Sequence, residues 1–187
     1  MKYFILLTMS LCLYSTNALA NRYSAVILGA DYVFMTTTSS VERARFHKDN
    51  WDSYALVLGF RTNQFFGMEA GYQQSINPLK KTQGLITREA SLTAYNIDTV
   101  FYLPYGRRSD FLITAGLGSY RLEEKIIFDG DAEFKANQST TRMRFGAGMQ
   151  YTLTRNVALR GMGRYVALSS NSFSNLLEFS GGIRLAF

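Results

Sequence analysis

Apolar and polar residues alternate at every second position along most of this chain. That is the period of an extended strand, whose successive side chains point to opposite faces. Read in twos, the sequence separates into eight alternating segments, approximately 24–34, 51–62, 65–76, 89–103, 111–122, 141–152, 157–168 and 174–187. In the first, Val26, Leu28, Ala30, Tyr32 and Phe34 share a face, with Gly29 and Asp31 opposite. In the sixth, Met143, Phe145, Ala147, Met149 and Tyr151 oppose Arg142, Arg144, Gly146, Gly148 and Gln150. In the last, Leu177, Phe179, Ile183, Leu185 and Phe187 oppose Glu178, Ser180, Gly182 and Arg184. The fourth has the weakest contrast, with Tyr95, Ile97, Phe101 and Leu103 on one side and a thinner set around Asn96 and Asp98 on the other.

The connections alternate in length. Thr62-Asn63-Gln64, Pro104 to Asp110 and Leu153 to Asn156 are short; 35–50, 77–88 and 123–140 are longer and more polar, with 169–173 on the same side by parity. Short turns at one end and longer loops at the other describe an outer-membrane barrel with its turns in the periplasm. The pattern predicts an all-β fold: a closed, eight-stranded, antiparallel, up-and-down transmembrane β-barrel. Closure leaves no open strand edge for lipid to meet.

The charged face decides which side is the lumen. Asp31, Arg61, Glu69, Asp98, Arg142, Arg144, Arg160, Arg164, Glu178 and Arg184 all fall on the less apolar face. An arginine facing lipid at the midplane costs roughly 2–4 kcal/mol, so these residues belong inside. Glycines on the same face, among them Gly29, Gly146 and Gly182, make room for them. Four acids and six arginines predict a paired network, since a planar guanidinium holds two carboxylate bonds. Arg164 and Glu178, on neighbouring segments, are expected to pair. A secreted ligand-carrying barrel of the lipocalin type would have the reverse polarity. A soluble sandwich would explain the alternation, but not the loop asymmetry, the terminal aromatic and the leader together.

The leader is read from residues 1–20. Lys2 is a positive start, 3–14 (YFILLTMSLCLY) an apolar run, and Ala18-Leu19-Ala20 a small-x-small cleavage site. Residues 1–20 are therefore expected to be a cleaved signal peptide, and 21–187 the barrel domain, starting at Asn21. The run is too short for a spanning helix, which needs about 20 residues. Cys12, the only cysteine, lies in the leader, so the mature chain offers no disulfide, cysteine metal site or thiol nucleophile. The net charge of +6 favours an anionic membrane surface over nucleic acid for an exported protein.

Three short motifs carry a family resemblance. Residues 113–120, ITAGLGSY, resemble the fifth-strand glycine motif of the OmpA-like and opacity-type outer-membrane barrels. Residues 159–166, LRGMGRYV, resemble their seventh-strand Arg-Tyr motif through Arg164-Tyr165, and the ending GIRLAF is similar to their closing strand. The resemblance implies a porin-like barrel in the outer membrane of a Gram-negative bacterium, read by the barrel-assembly machinery through Phe187. Nothing follows the last strand, so the peptidoglycan-binding domain of full-length OmpA-like proteins is not expected.

Candidate chemistry is sparse, and no catalytic, cofactor-binding or metal residue is assigned. Some barrels of this size modify lipid A with a His-x-Ser pair or with loop His, Asp and Ser residues. Here the only histidine is His47, with Lys48-Asp49 after it and Asp52-Ser53 nearby. That acyl hydrolase or acyltransferase reading is the alternative to a structural or surface-interaction role. Glu42 with Asp49, and Asp129, Asp131 and Glu133, suggest calcium, but the second run is too short for an EF-hand loop. Arg43, Arg45, Lys48, Lys80 and Lys81 offer contacts to lipopolysaccharide phosphates or an anionic host polymer. A monomer is expected, with outer-membrane lipids and lipopolysaccharide around it, possible host or surface ligands at the loops, no cofactor and no nucleic acid. A diffusion pore is disfavoured because arginines and acids block so narrow a lumen.

Overall fold

The computed structural model describes residues 25–38, 50–83, 86–128, 133–167 and 175–187. The expected leader, residues 1–20, therefore lies outside the described residues. Among those described there are nine strands and no helix: β1 Ala25–Thr38, β2 Asn50–Arg61, β3 Phe66–Ser75, β4 Leu79–Gln83, β5 Ile86–Tyr105, β6 Ser109–Phe128, β7 Glu133–Thr152, β8 Val157–Val166 and β9 Asn175–Ala186. All pairings are antiparallel. β1 pairs with both β2 and β9, and β3 pairs with β5, so eight strands close into a barrel, and β4 extends the β3 position along β5.

β4 is the continuation of β3 after an interruption. Gln74 faces Thr93 and Leu79 faces Ala90, so one side advances five residues while β5 advances three. The two extra residues form a bulge around Asn77-Pro78. Proline has no N–H for the ladder and is confined to such positions.

The predicted loops 77–88 and 123–140 are corrected by the structure. The first holds β4 and the start of β5. The second is mostly strand, with β6 running to Phe128 and β7 starting at Glu133. The shift from alternating apolar to polar residues predicts loop, but it marks the level at which the strands leave the membrane. Outside lipid a strand needs no apolar face.

The outward face is the apolar one. Leu28, Leu56, Leu58, Ile97, Ile113, Leu117, Met143, Met149, Leu159 and Ile183 are all exposed on the outer wall. Tyr32, Tyr54, Tyr72, Tyr95 and Tyr165 edge this belt toward the loop end; Phe60, Phe65, Tyr105, Phe111, Tyr151 and Phe187 edge it toward the short turns. Tyr95 and Tyr105 stand ten residues apart on β5. At about 3.3 Å per residue and a tilt near 40°, that spans roughly 25 Å, the height of an outer-membrane apolar band. The turns at 62–65, 106–108 and 153–156 are the short ones. Gly106 takes φ 79° in the second, a left-handed turn conformation that glycine adopts freely.

Candidate functional site

Alternation places the charged residues inside, and the narrow ring packs them together. Asp31, Glu69, Asp98 and Glu178 are buried there with Arg144, Arg160, Arg164 and Arg184. Arg160 Nη1 donates to both carboxylate oxygens of Glu69, at 2.6 and 2.8 Å. Its Nη2 donates to the Tyr102 hydroxyl at 3.2 Å and to Gln150 Oε1 at 2.7 Å, and its Nε reaches Gln150 Oε1 at 3.1 Å. All five guanidinium donors are thus engaged. Arg184 makes a fork onto Asp31, with Nη1 and Nη2 at 2.5 and 2.7 Å from its two oxygens. Glycine makes that fork possible. A Cβ on Gly29 would stand 2.6 Å from Arg184 Cδ, and one on Gly182 would overlap the Asp31 carboxylate and the Ala30 carbonyl.

The expected Arg164–Glu178 pair is not formed. The two face each other across the β8–β9 ladder, but Glu178 is bonded by Arg144 Nη2 at 3.1 Å and by the Tyr120 hydroxyl at 3.1 Å. Arg164 donates to Ser180 Oγ at 3.0 Å and stands 3.8 Å from Asp98. Arg144 Nε also lies 3.2 Å from Asp98. In a ring this narrow, long side chains reach strands that are not their neighbours: β7 to β9, β8 to β3, β7 to β5. Register alone therefore does not name the partner. A double-mutant cycle on Arg144→Met and Glu178→Gln, read by urea unfolding in lipid vesicles, should show coupling of about 1–3 kcal/mol. The same cycle with Arg164→Met should show clearly less. Equal coupling for both would contradict the assigned pairing.

Apolar residues close the lumen at both ends of this network. Toward the loops, Val33, Met35, Trp51, Leu92, Tyr120, Leu122, Val166 and Leu176 form one buried cluster; toward the turns, Val100, Tyr102, Leu112 and Met162 form another. Arg61 lies over the Tyr102 ring, 3.9 Å from its centroid, and 3.6 Å from Asp110. The loop-side cluster escaped sequence reasoning, because Val33 and Met35 sit beside the outward Tyr32 and Phe34 while Leu92 and Leu122 sit between polar residues, and both arrangements weaken the alternation. Arg142, counted with the lumen set, is only half-buried.

Above the membrane, among the described residues, the strand pairing climbs highest on β4 to β7. The last β7–β8 pair is Arg144 with Val166, but β6 and β7 continue paired to Ile127 and Glu133, and β5 continues beside β6 to Ile86. Residues 133–143 of β7 thus rise past the described end of β8, roughly 35 Å along the strand at about 3.3 Å per residue. Arg121, Glu123, Lys135, Asn137, Gln138, Ser139 and Thr141 on this rim are exposed, with Arg121 3.7 Å from Glu123.

Other sequence candidates separate. Asp52 is exposed on the outer wall, where the Tyr32 hydroxyl donates to it at 2.5 Å, while Ser53 is buried inside. Adjacent strand residues project to opposite faces, so the two do not form a catalytic pair. Lys80 faces Glu89 and Lys81 faces Arg88 across the β4–β5 ladder. Glu133 opens β7. Glu42, Arg43, Arg45, His47, Lys48, Asp49, Asp129 and Asp131 lie outside the described residues. No group of metal-ligating side chains occurs among the described residues.

A closed ring with an apolar outer wall, two aromatic edges and a charged, filled lumen defines an integral outer-membrane β-barrel. The chain belongs to the outer membrane protein beta-barrel domain family, whose model matches residues 4–184. It is a protein of the Gram-negative outer membrane, OmpA-like and porin-like in architecture. Among solved structures it is similar to Neisserial surface protein A, with 18% identity and a TM-score of 0.67, covering 87% of this chain and 97% of that one. It is similar also to Ail, the attachment invasion locus protein of Yersinia pestis, with 15% identity and a TM-score of 0.59 over 89% and 99% of the two chains. The N-terminal barrel domain of Pseudomonas aeruginosa OprF matches with 13% identity and a TM-score of 0.56, over 88% and 99%. Among the curated proteins nothing matches.

Proposed function

We propose that this protein is a surface-interaction barrel: a rigid, closed wall that carries a recognition rim on β4 to β7 and the loops beside it. The tall described rim on β5 to β7 supports this reading most directly. A barrel built only to span lipid has no use for strands that continue as far beyond the upper aromatic edge as β5 to β7 do. Polar, exposed strand positions there present fixed groups to a partner, and recognition is concentrated where scaffold geometry holds exposed segments. The filled lumen supports a wall rather than a channel.

The partner class favoured by charge is an anionic polymer or a lipopolysaccharide phosphate, met by Arg43, Arg45, Lys48, Lys80 and Lys81. One similar structure is Ail of Yersinia pestis in complex with the heparin analogue sucrose octasulfate, which makes a sulfated sugar a sensible first probe. The test is a cut made in register. Residues 126–134 are replaced by an Asn-Gly turn between the facing residues Lys125 and Lys135, and 39–49 by a short Gly-Ser turn. The barrel should still fold and shift on heating in gels, because the buried clusters are untouched. Binding to heparin or to host cells should fall at least tenfold. Unchanged binding in this variant with Lys80→Gln, Lys81→Gln and Arg121→Gln added would end the rim reading.

Assembly is proposed to depend on Phe187. Its backbone exchanges hydrogen bonds with Val26 at 3.0 and 3.1 Å, continuing the β9–β1 seam, and its ring stays exposed. Deleting Phe187 should lower the folded yield in the outer membrane while secretion across the inner membrane continues. A normal folded yield would count against recognition of this residue by the assembly machinery.

A further inference from the structure

We propose that the short-turn end of this barrel is a docking surface for anionic phospholipid headgroups of the periplasmic leaflet. Arg107 and Arg108 are exposed in the β5–β6 turn, and Arg155 is exposed in the β7–β8 turn. The two turns touch, with Thr152 N donating to the Arg108 carbonyl at 2.7 Å. Among the described residues none of the three arginines has a carboxylate partner, and the nearby acid, Asp110, is engaged by Arg61 at 3.6 Å. The third short turn, 62–65, carries no charge.

Depth selects the partner. Tyr105 and Phe111 pack as a tilted pair, 5.2 Å between ring centroids, and Tyr151 lies beside Ser109 in the ladder. All three rings are exposed on the outer wall. Aromatic side chains of this kind mark the level of the headgroups. The guanidiniums follow within a few residues, so they stand among phosphates rather than deep in the periplasm. A guanidinium forks onto two phosphate oxygens with charge-assisted hydrogen bonds, and basic residues at this depth are drawn to anionic lipid. A soluble acidic protein or the cell wall would have to reach past the headgroups to meet the same residues.

The mature chain has no cysteine, so each end can carry one label. Ser109→Cys reports the turn end and Ser139→Cys the rim. Energy transfer to headgroup-labelled phosphatidylglycerol and phosphatidylcholine is then compared in mixed vesicles. At Ser109→Cys, phosphatidylglycerol should be enriched about fivefold over phosphatidylcholine, on the order expected for a small cluster of basic residues. The enrichment should fall to near parity at 1 M salt or with Arg107→Gln, Arg108→Gln and Arg155→Gln combined. Lysine at the same three positions should retain most of it, and heat-modified gel migration checks that every variant folds. Enrichment that survives the glutamine substitutions, or that is equal at Ser139→Cys, would overturn the proposal. A single glutamine substitution at Arg155 serves if the triple variant does not fold: it should lower the enrichment measurably, and no change would again overturn it.

Discussion

Replacing Arg160 with methionine is expected to destabilise the folded barrel by about 3–5 kcal/mol, the cost of leaving a buried carboxylate without its partner. Glu69 is the group left behind. Its side chain is 5% exposed and that of Arg160 only 1%, so water does not replace the lost donors. The same change removes both bonds to Gln150 and one to Tyr102. Lysine is not a conservative alternative here, because three rotatable donors cannot reproduce a five-donor planar fork. The double variant Arg160→Met with Glu69→Gln should recover part of the loss, since no uncompensated charge then remains. Urea unfolding in lipid vesicles measures each. A cost below about 1 kcal/mol for Arg160→Met, the range of a solvated surface pair, would show that the lumen is wet.

Ala147→Arg is expected to cost about 2–4 kcal/mol, and Thr141→Arg on the same strand and face about 0–1 kcal/mol. Both side chains point outward and are exposed. Ala147 lies midway between Met143 and Tyr151 on β7, near the middle of the apolar belt; Thr141 lies beyond Met143, above it. The contrast therefore tests depth alone. The inward neighbour Gln150 is no substitute control, because its Oε1 accepts two bonds from Arg160 and an arginine there would bring like charges together. Equal costs at 147 and 141 would place the membrane at the wrong height.

Much of the wall was legible residue by residue. The alternation through Val26 to Phe34 and Met143 to Tyr151 predicted which side chains are now seen outside. The predicted segments agree with the barrel strands to within a few residues wherever both lie in the membrane. Agreement ends above it. There β6, β7 and the start of β5 keep pairing with each other, but no lipid demands an apolar face and the signal disappears. β4 was missed for a further reason: Asn77-Pro78 breaks the phase between β3 and β4.

The lumen divides in the same way. That Asp31, Glu69, Asp98 and Glu178 are inside with the arginines follows from the period of two and from the cost of charge in hydrocarbon. Those are local and one-dimensional facts. Which arginine meets which carboxylate is not local. Arg160 finds Glu69 from β8 to β3, and Arg144 finds Glu178 from β7 to β9. These choices depend on curvature, on the narrowness of an eight-strand ring and on the notches left by Gly29 and Gly182. The sealing cluster, which includes Met35, Trp51, Leu92, Leu122, Val166 and Leu176, is likewise assembled from six strands, each giving one to three residues. By itself, then, the sequence determined the class, the outer wall and the membership of the lumen, because lipid imposes its demand on every residue separately. The tertiary structure decided the pairings, the seal and the tall rim on β5 to β7, because each depends on distances between residues far apart in the chain.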